Sequence, residues 1–311
     1  MISYLIRKLL NTIPIILGVA LLLFVLLNVV GGDPTYQMLG KHATQQQVTE
    51  LRKEYGFDQP LYFQFGLYLK QIATFDYGDS YAYKRPITAM IYEGVGPSLS
   101  LLLPAFFLTT VLSLLIALMV AYFRGTLVDK VVVMVCVTGM SLSILAYVLF
   151  GQYILAYKLG WFPISGYEQQ WPDRIQYLML PIIIWMAVSV GNEVRFYRTA
   201  ILEEVNQDYV RTARAKGLSE KMVFLKHVLK NAMVPIVTNV VLEIPLLMLG
   251  SFVLESFFSI PGLGNITIEA FHNSDFPVIK AMATFVSLIF ILGNVATDII
   301  YTMVDPRVGL Q

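Results

Sequence analysis

The sequence predicts an all-α, polytopic membrane protein with six transmembrane helices and an extracytoplasmic insert after the first. Three observations predict it. Of the 311 residues, 57% are hydrophobic and only 14% charged; the mean hydropathy is +0.66; and six apolar runs are long enough to cross roughly 30 Å of hydrocarbon. A soluble domain cannot bury that apolar fraction, so the chain needs lipid around it. A net charge of +1 offers no basic surface for nucleic acid, which is excluded as a partner.

The first run, residues 9–30, follows Arg7 and Lys8. It is longer than the apolar region of a signal peptide, and no small-x-small cleavage site follows before Gly31, so it reads as a retained span. The insert, residues 31–96, has helix signals of its own. Thr44 and Gln47 spell a capping box ahead of Val48, Leu51 and Tyr55, and Gly56 supplies a stop. After Pro60, the spacing of Tyr62, Phe65, Tyr68, Leu69 and Ile72 predicts a second amphipathic helix, lying on the membrane or against the spans.

Residues 99–122 and 131–156 are the second and third spans. The single cysteine, Cys136, lies inside the third, so no intramolecular disulfide forms and a packing role is expected. Residues 175–191 make a short fourth span, which Gly191, Asn192 and Glu193 are expected to end. The fifth, 234–258, carries Glu243 two residues before Pro245. The sixth, 276–303, carries Asp298, expected to pair with a basic group. The chain thus divides into a first helix plus insert, 1–98, and a core of five helices, 99–311, with a long loop at 195–233. Trp161, Trp171 and Tyr177 fit an interfacial aromatic belt.

Lys and Arg set the orientation. With both termini in the cytoplasm, thirteen basic residues fall inside (Arg7, Lys8, Arg124, Lys130, Arg195, Arg198, Arg211, Arg214, Lys216, Lys221, Lys226, Lys230 and Arg307), against three in the short outer loops (Lys158, Arg174 and Lys280). The six in the long insert carry little topological weight.

No catalytic or metal motif occurs: there is no Walker-type phosphate loop, His-Glu-x-x-His helix, cysteine pair or nucleophile elbow, and His42, His227 and His272 stand singly. No catalytic residue, metal site or cofactor is expected in this chain. Two candidate sites remain. Glu243 lies in an apolar span, where a carboxylate is costly without water or a partner; it either faces a cavity or is tied structurally to a neighbouring span. Pro245 frees a carbonyl one turn earlier and adds a kink there. In the long loop, Asp208 as N-cap, Gly217 as the left-handed residue past a helix end and Ser219 as the next cap predict a helix, a turn and a helix. Small Ala213 and Ala215 suit close approach to a partner; an ordinary basic inner loop is the other reading.

That loop carries a resemblance. Tyr209, Val210, Arg211, Thr212, Ala213, Arg214, Ala215, Lys216 and Gly217 resemble the EAA loop of ABC importer permeases, in the form found in peptide and nickel systems. Arg7-Lys8, Gly31-Gly-Asp-Pro34, Tyr55-Gly-Phe-Asp-Gln-Pro60, Phe258-Ser-Ile-Pro-Gly-Leu-Gly264 and Asp305-Pro-Arg307 resemble that branch's B-type permease in the same order. Arg211, Thr212 and Ala213 stand where the general pattern has Glu-Ala-Ala, and Pro235 falls later than its proline, which fits the peptide and nickel branch. The resemblance implies a multi-pass subunit of the bacterial cytoplasmic (inner) membrane. Tyr209, Arg211, Ala213, Arg214, Ala215, Lys216 and Gly217 would form a coupling helix seated on one of two cytoplasmic ATPase subunits, with loop 124–130 a lesser contact. A second, homologous permease would share the pathway and an extracytoplasmic solute-binding protein would deliver a peptide, or alternatively a nickel chelate or other small solute. The rival class is an ion-coupled secondary transporter in which Glu243 carries the proton.

Overall fold

The computed structural model describes residues 2–30, 34–40, 44–247 and 249–304, and all of its regular elements are helices. Residues 31–33 and 305–307 of the sequence motifs lie outside the described residues, as does the Asp298 side chain, whose expected pairing is therefore not described. α1 (Ile2–Phe24) continues as a π-helical segment, Val25–Val30. The insert supplies α2 (Pro34–Leu39), α3 (Gln45–Glu54) and α4 (Leu61–Thr74). Then come α5 (Ile87–Tyr122), α6 (Leu127–Met140), α7 (Ile144–Gly151, prolonged to Lys158), α8 (Arg174–Val205), α9 (Asp208–Ala215), α10 (Glu220–Met222, prolonged to Val228), α11 (Leu229–Leu247), α12 (Phe252–Phe257), α13 (Leu263–His272) and α14 (Phe276–Val304).

Among the described residues, five helices are long and apolar enough to span a membrane. A sixth span exists if α6 and α7, bent by 95° at their junction, are counted as one. The bend falls at 141–143, where Ser143 turns out of the helix and caps α7 by accepting from the Ala146 amide at 3.3 Å. The third apolar run is therefore two helices at a sharp angle rather than one continuous helix.

Three span boundaries differ from the sequence expectation. Gly191 does not end the fourth helix: α8 runs on to Val205. A Cβ at Gly191 would lie 2.9 Å from the Cys136 carbonyl oxygen and from Met140, so this glycine lets α8 approach α6 closely. The second helix begins at Ile87, not residue 99, so the division at 98/99 falls inside one helix. Gly94 there sits against α13, with Ile266 Cδ1 2.7 Å from the position a Cβ would take. The fifth span closes at Leu247 instead of 258, and Gly250, at φ +75°, separates it from α12.

The insert follows its sequence signals. Thr44 and Gln47 close the capping box, and Gly56 leaves α3 at φ +68°. On α4, Phe65, Tyr68, Leu69 and Ile72 pack on Ala20 and Phe24 of α1, so α4 lies against the spans, while Tyr62 points outward. Asp275, fully buried, accepts from Ser80 Oγ (2.5 Å) and from the Tyr81 and Ala82 amides (3.1 and 3.0 Å), clamping the end of the insert to the start of α14. This is the insert end of the bundle; α9 and α10 mark the opposite, loop end. α8 packs along α5, and α1 packs on α14 at the periphery, with little of its apolar surface covered by this chain.

Candidate functional site

At the loop end, α9 starts one residue earlier than its sequence signal: Gln207 is the N-cap, and Asp208 occupies the first turn, where its charge suits the helix dipole. Gly217 takes φ +78°. Its amide bonds to the Arg214 carbonyl (2.9 Å) and the Leu218 amide to that of Ala213 (3.4 Å), a Schellman turn. Ser219 has the extended backbone of an N-cap without a side-chain capping bond. Arg214 crosses the turn to Glu220 with bonds of 2.8 and 3.2 Å.

The predicted loop residues fall on two faces. Ala213 is buried with Val210, Val223, Phe224 and Tyr197 in the chain's own core, so it does not open a close approach to a partner. Tyr209 is half-buried and donates to Glu204 at 2.5 Å; burial, first, and that carboxylate raise its phenol pKa. Arg211, Ala215, Lys216 and Gly217 are exposed, beside the exposed apolar side chains of Leu218 and Met222. The exposed side therefore presents a small apolar patch set among cations. The 124–130 turn adjoins it, with Arg124 donating to Asn206 at 3.3 Å.

A tie that the sequence did not announce holds this end together. Asp129 takes two bonds from the Arg198 guanidinium (3.0 and 2.9 Å) and one from the Gly125 amide (2.9 Å). The pair fixes the α5–α6 turn to α8, so Arg198 acts as more than an inner-side charge.

Within the spans, Glu243 on α11 accepts from Asn239 at 2.8 Å and is half-buried. Pro245 sits inside the helix. The Val241 carbonyl that it frees is taken up by Thr297 of α14 at 3.2 Å. Glu193 on α8, read from sequence only as part of a helix stop, is a second intramembrane carboxylate. It is 7% exposed, accepts from Tyr197 Oη at 3.2 Å, and lies within electrostatic reach of Glu243. Ser113 Oγ, fully buried, stands beside Glu193 without a geometrically complete hydrogen bond. Two carboxyl groups so close in apolar surroundings are costly unless they share a proton or meet a cation. The signal was present in the sequence, but Glu193 was hidden by the glycine before it.

At the insert end, Pro261, Gly262, Leu263 and Gly264 form no phosphate cradle. The amides that open α13 are already occupied: Glu255, fully buried, accepts from Gly264 (2.7 Å), Asn265 (3.2 Å), Ser251 (2.9 Å) and Ser98 Oγ (2.8 Å). Burial pushes this carboxyl up while the four donors hold it down. Nearby, a cavity of about 500 Å³ is lined by residues of both charge signs, including Arg85, Glu93, Arg174 and Glu269. Arg174 lies 4.8 and 4.9 Å from the Tyr167 and Trp171 ring centroids, so Trp171 holds a guanidinium. Among the described residues, no cluster of three or more His, Cys, Asp or Glu side chains has the arrangement of a metal site.

Comparison with known proteins agrees with this architecture. Residues 110–310 match the family described as binding-protein-dependent transport system inner membrane component, and residues 1–114 match the N-terminal domain of that membrane component. The chain is 34% identical over 308 residues to the glutathione transport system permease protein GsiC of Salmonella typhi, covering 99% of each chain. It is 35% identical over 316 residues to a putative peptide transport system permease protein of Brucella abortus, again covering 99% of each.

Proposed function

The chain belongs to the binding-protein-dependent transport system inner membrane component family, and from that premise we propose that it is one membrane-spanning half of an ABC importer for small peptides. The supporting observation is the α9–α10 element: a capped turn presenting Ala215, Lys216, Leu218 and Met222 outward while Val210 and Ala213 anchor it in the core. Such an element moves as one piece with α8 and α11. Closure of a cytoplasmic ATPase pair against it would rock the spans as rigid bodies. A second homologous permease completes the pathway, and a solute-binding protein delivers cargo to the insert end. ATP is hydrolysed on the partner subunits.

A peptide suits the polar groups available. The insert-end cavity carries both charge signs, as a zwitterion does, and the Glu193–Glu243 pair offers carboxyl oxygens to the amino end within the membrane. The decisive experiment reconstitutes the complex in vesicles and follows uptake of a labelled dipeptide, with glutathione and a nickel chelate as competitors. Uptake requiring ATP and the ATPase subunits is expected; uptake driven by a proton gradient without them would establish the secondary-transporter class instead.

Two predictions belong to this reading. Glu243→Gln and Glu193→Gln should each lower peptide uptake about tenfold, equivalent to about 1.4 kcal/mol, with the complex still assembled on size exclusion. Wild-type kinetics and cargo preference in both variants would make the pair structural. The basic-residue asymmetry favours a cytoplasmic α9–α10, so Ser219→Cys on a Cys136→Ser background should resist an impermeant thiol reagent in intact cells and react in inverted vesicles. Labelling from outside would reverse the topology.

A further inference from the structure

Where α4 crosses the ends of α1 and α14, the insert encloses a separate cavity of about 460 Å³, remote from the loop end. Lys280, one turn into α14, lines it. Its Nζ sits 4.3 Å from the Tyr68 ring centroid and 5.4 Å from that of Phe24, and no carboxylate among the described residues forms an ion pair with it. An ammonium inside a span without a counter-charge is a costly placement that marks a functional position.

Two further polar groups lining the same cavity are buried without partners: the Tyr77 hydroxyl and Asn28 Oδ1. Tyr77 is a hydrogen-bond donor across the working pH range, because burial pushes its phenol up to about 12. The direction of the Asn28 amide is set by a chain of bonds. Gln64 Nε2 donates to the Phe57 and Gln59 carbonyls (3.2 and 2.8 Å), which turns Gln64 Oε1 toward Asn28 Nδ2 (3.3 Å) and leaves Asn28 Oδ1 free to accept. The cavity thus offers an ammonium, a hydroxyl donor and one acceptor, all unmet; buried polar groups are otherwise nearly always paired. At the rim stand exposed Glu54 and Asp79.

We propose that this cavity binds the phosphate of a phospholipid headgroup. Lys280 and Tyr77 donate to the phosphate oxygens, and Asn28 Oδ1 accepts from a donor on the same head. The rim carboxylates suit the ammonium of phosphatidylethanolamine. Free phosphate shares the first of these interactions, but the flanks favour a lipid. Val29 and Val30 of α1 and Leu67 of α4, the last lining the cavity itself, are exposed apolar side chains along which acyl chains can lie. The site would seat the insert on the membrane through one bound lipid.

The test uses the intact, assembled complex in detergent and does not depend on transport. Delipidated complex is incubated with phosphatidylethanolamine and examined by native mass spectrometry; inorganic phosphate is titrated separately and followed by phosphorus NMR. Wild-type protein should retain one phospholipid per copy of this chain. Lys280→Met and Tyr77→Phe should each reduce retention about tenfold, and Lys280→Arg should restore it. Equal retention by wild type, Lys280→Met and Tyr77→Phe would overturn the proposal and leave Lys280 held by its aromatic neighbours alone. Inorganic phosphate binding as tightly as the lipid would overturn the lipid assignment in favour of the free anion.

Discussion

Gly262→Ala is expected to be among the most damaging single changes in the chain. The backbone at Gly262 is extended, with φ −97°, so conformation is not what demands glycine there. Space is: a Cβ would lie 2.3 Å from Glu255 Oε2, 2.6 Å from its Cδ and 2.5 Å from Ser98 Oγ. All three atoms belong to the buried carboxylate network that caps α13, and Ser98 also accepts from the Leu263 amide at 2.8 Å. The methyl group therefore cannot be accommodated by turning a flexible tip. Either Glu255 leaves its donors, stranding buried N–H groups at about 1–3 kcal/mol each, or the α12–α13 turn moves off α5. Overpacking adds about 1–3 kcal/mol. Glu255→Gln tests the same network without changing its shape, since its amide would point donors at donors. Thermal unfolding of the purified complex, followed by fluorescence-detected size exclusion, should show a clear loss of stability for both variants, with the larger loss for Gly262→Ala. Wild-type melting of Gly262→Ala would mean that the network is loose enough to rearrange.

The network also shows what was legible in the sequence and what was not. The Pro-Gly-Leu-Gly segment could be recognised as a turn, because glycine and proline mark turns by their backbone preferences. That a carboxylate nine residues before Gly264 fills it could not, since the partner is chosen by tertiary placement. The same division runs through the helices. Long apolar runs located the five membrane-length helices, and Thr44 with Gln47 located α3, because both signals are local. Gly191 misled, because a glycine that ends a helix and one that lets two helices touch look alike in sequence, and only the neighbours Cys136 and Met140 tell them apart. Glu193 disappeared into that misreading. Glu243 stood out because it interrupts an apolar run two residues before Pro245. The loop turn was legible nearly to the residue, but the inward direction of Ala213 was not, since an eight-residue helix has too few turns for its buried face to declare itself.

That direction reshapes the test of coupling. Gly217→Val should give a complex that inserts normally and hydrolyses ATP while uptake falls to a small fraction of wild type. Nothing lies within 4 Å of the position a Cβ would occupy at Gly217, so the obstacle is conformational: φ +78° costs a β-branched residue about 1–2 kcal/mol. Relief comes by unwinding the turn, which breaks the Leu218–Ala213 and Gly217–Arg214 bonds and redirects α10, along with the outward patch of Leu218 and Met222. Because α9 itself remains anchored by Val210 and Ala213, the loss should fall on transmission and leave folding intact. Gly217→Asn, which tolerates the left-handed region, should keep most uptake. Ala213→Trp is a poor probe, since it would disrupt the chain's own core; Ala215→Trp, on the exposed face, should instead block the docking contact and lower ATPase recovery in pull-downs. Lys230→Ala, exposed and farther along the chain, is the control for charge alone and should be mild. Uptake and ATP hydrolysis are measured on the same vesicles. Normal coupled uptake by both Gly217→Val and Ala215→Trp would reduce the loop to a basic inner connection and remove it from the transport cycle.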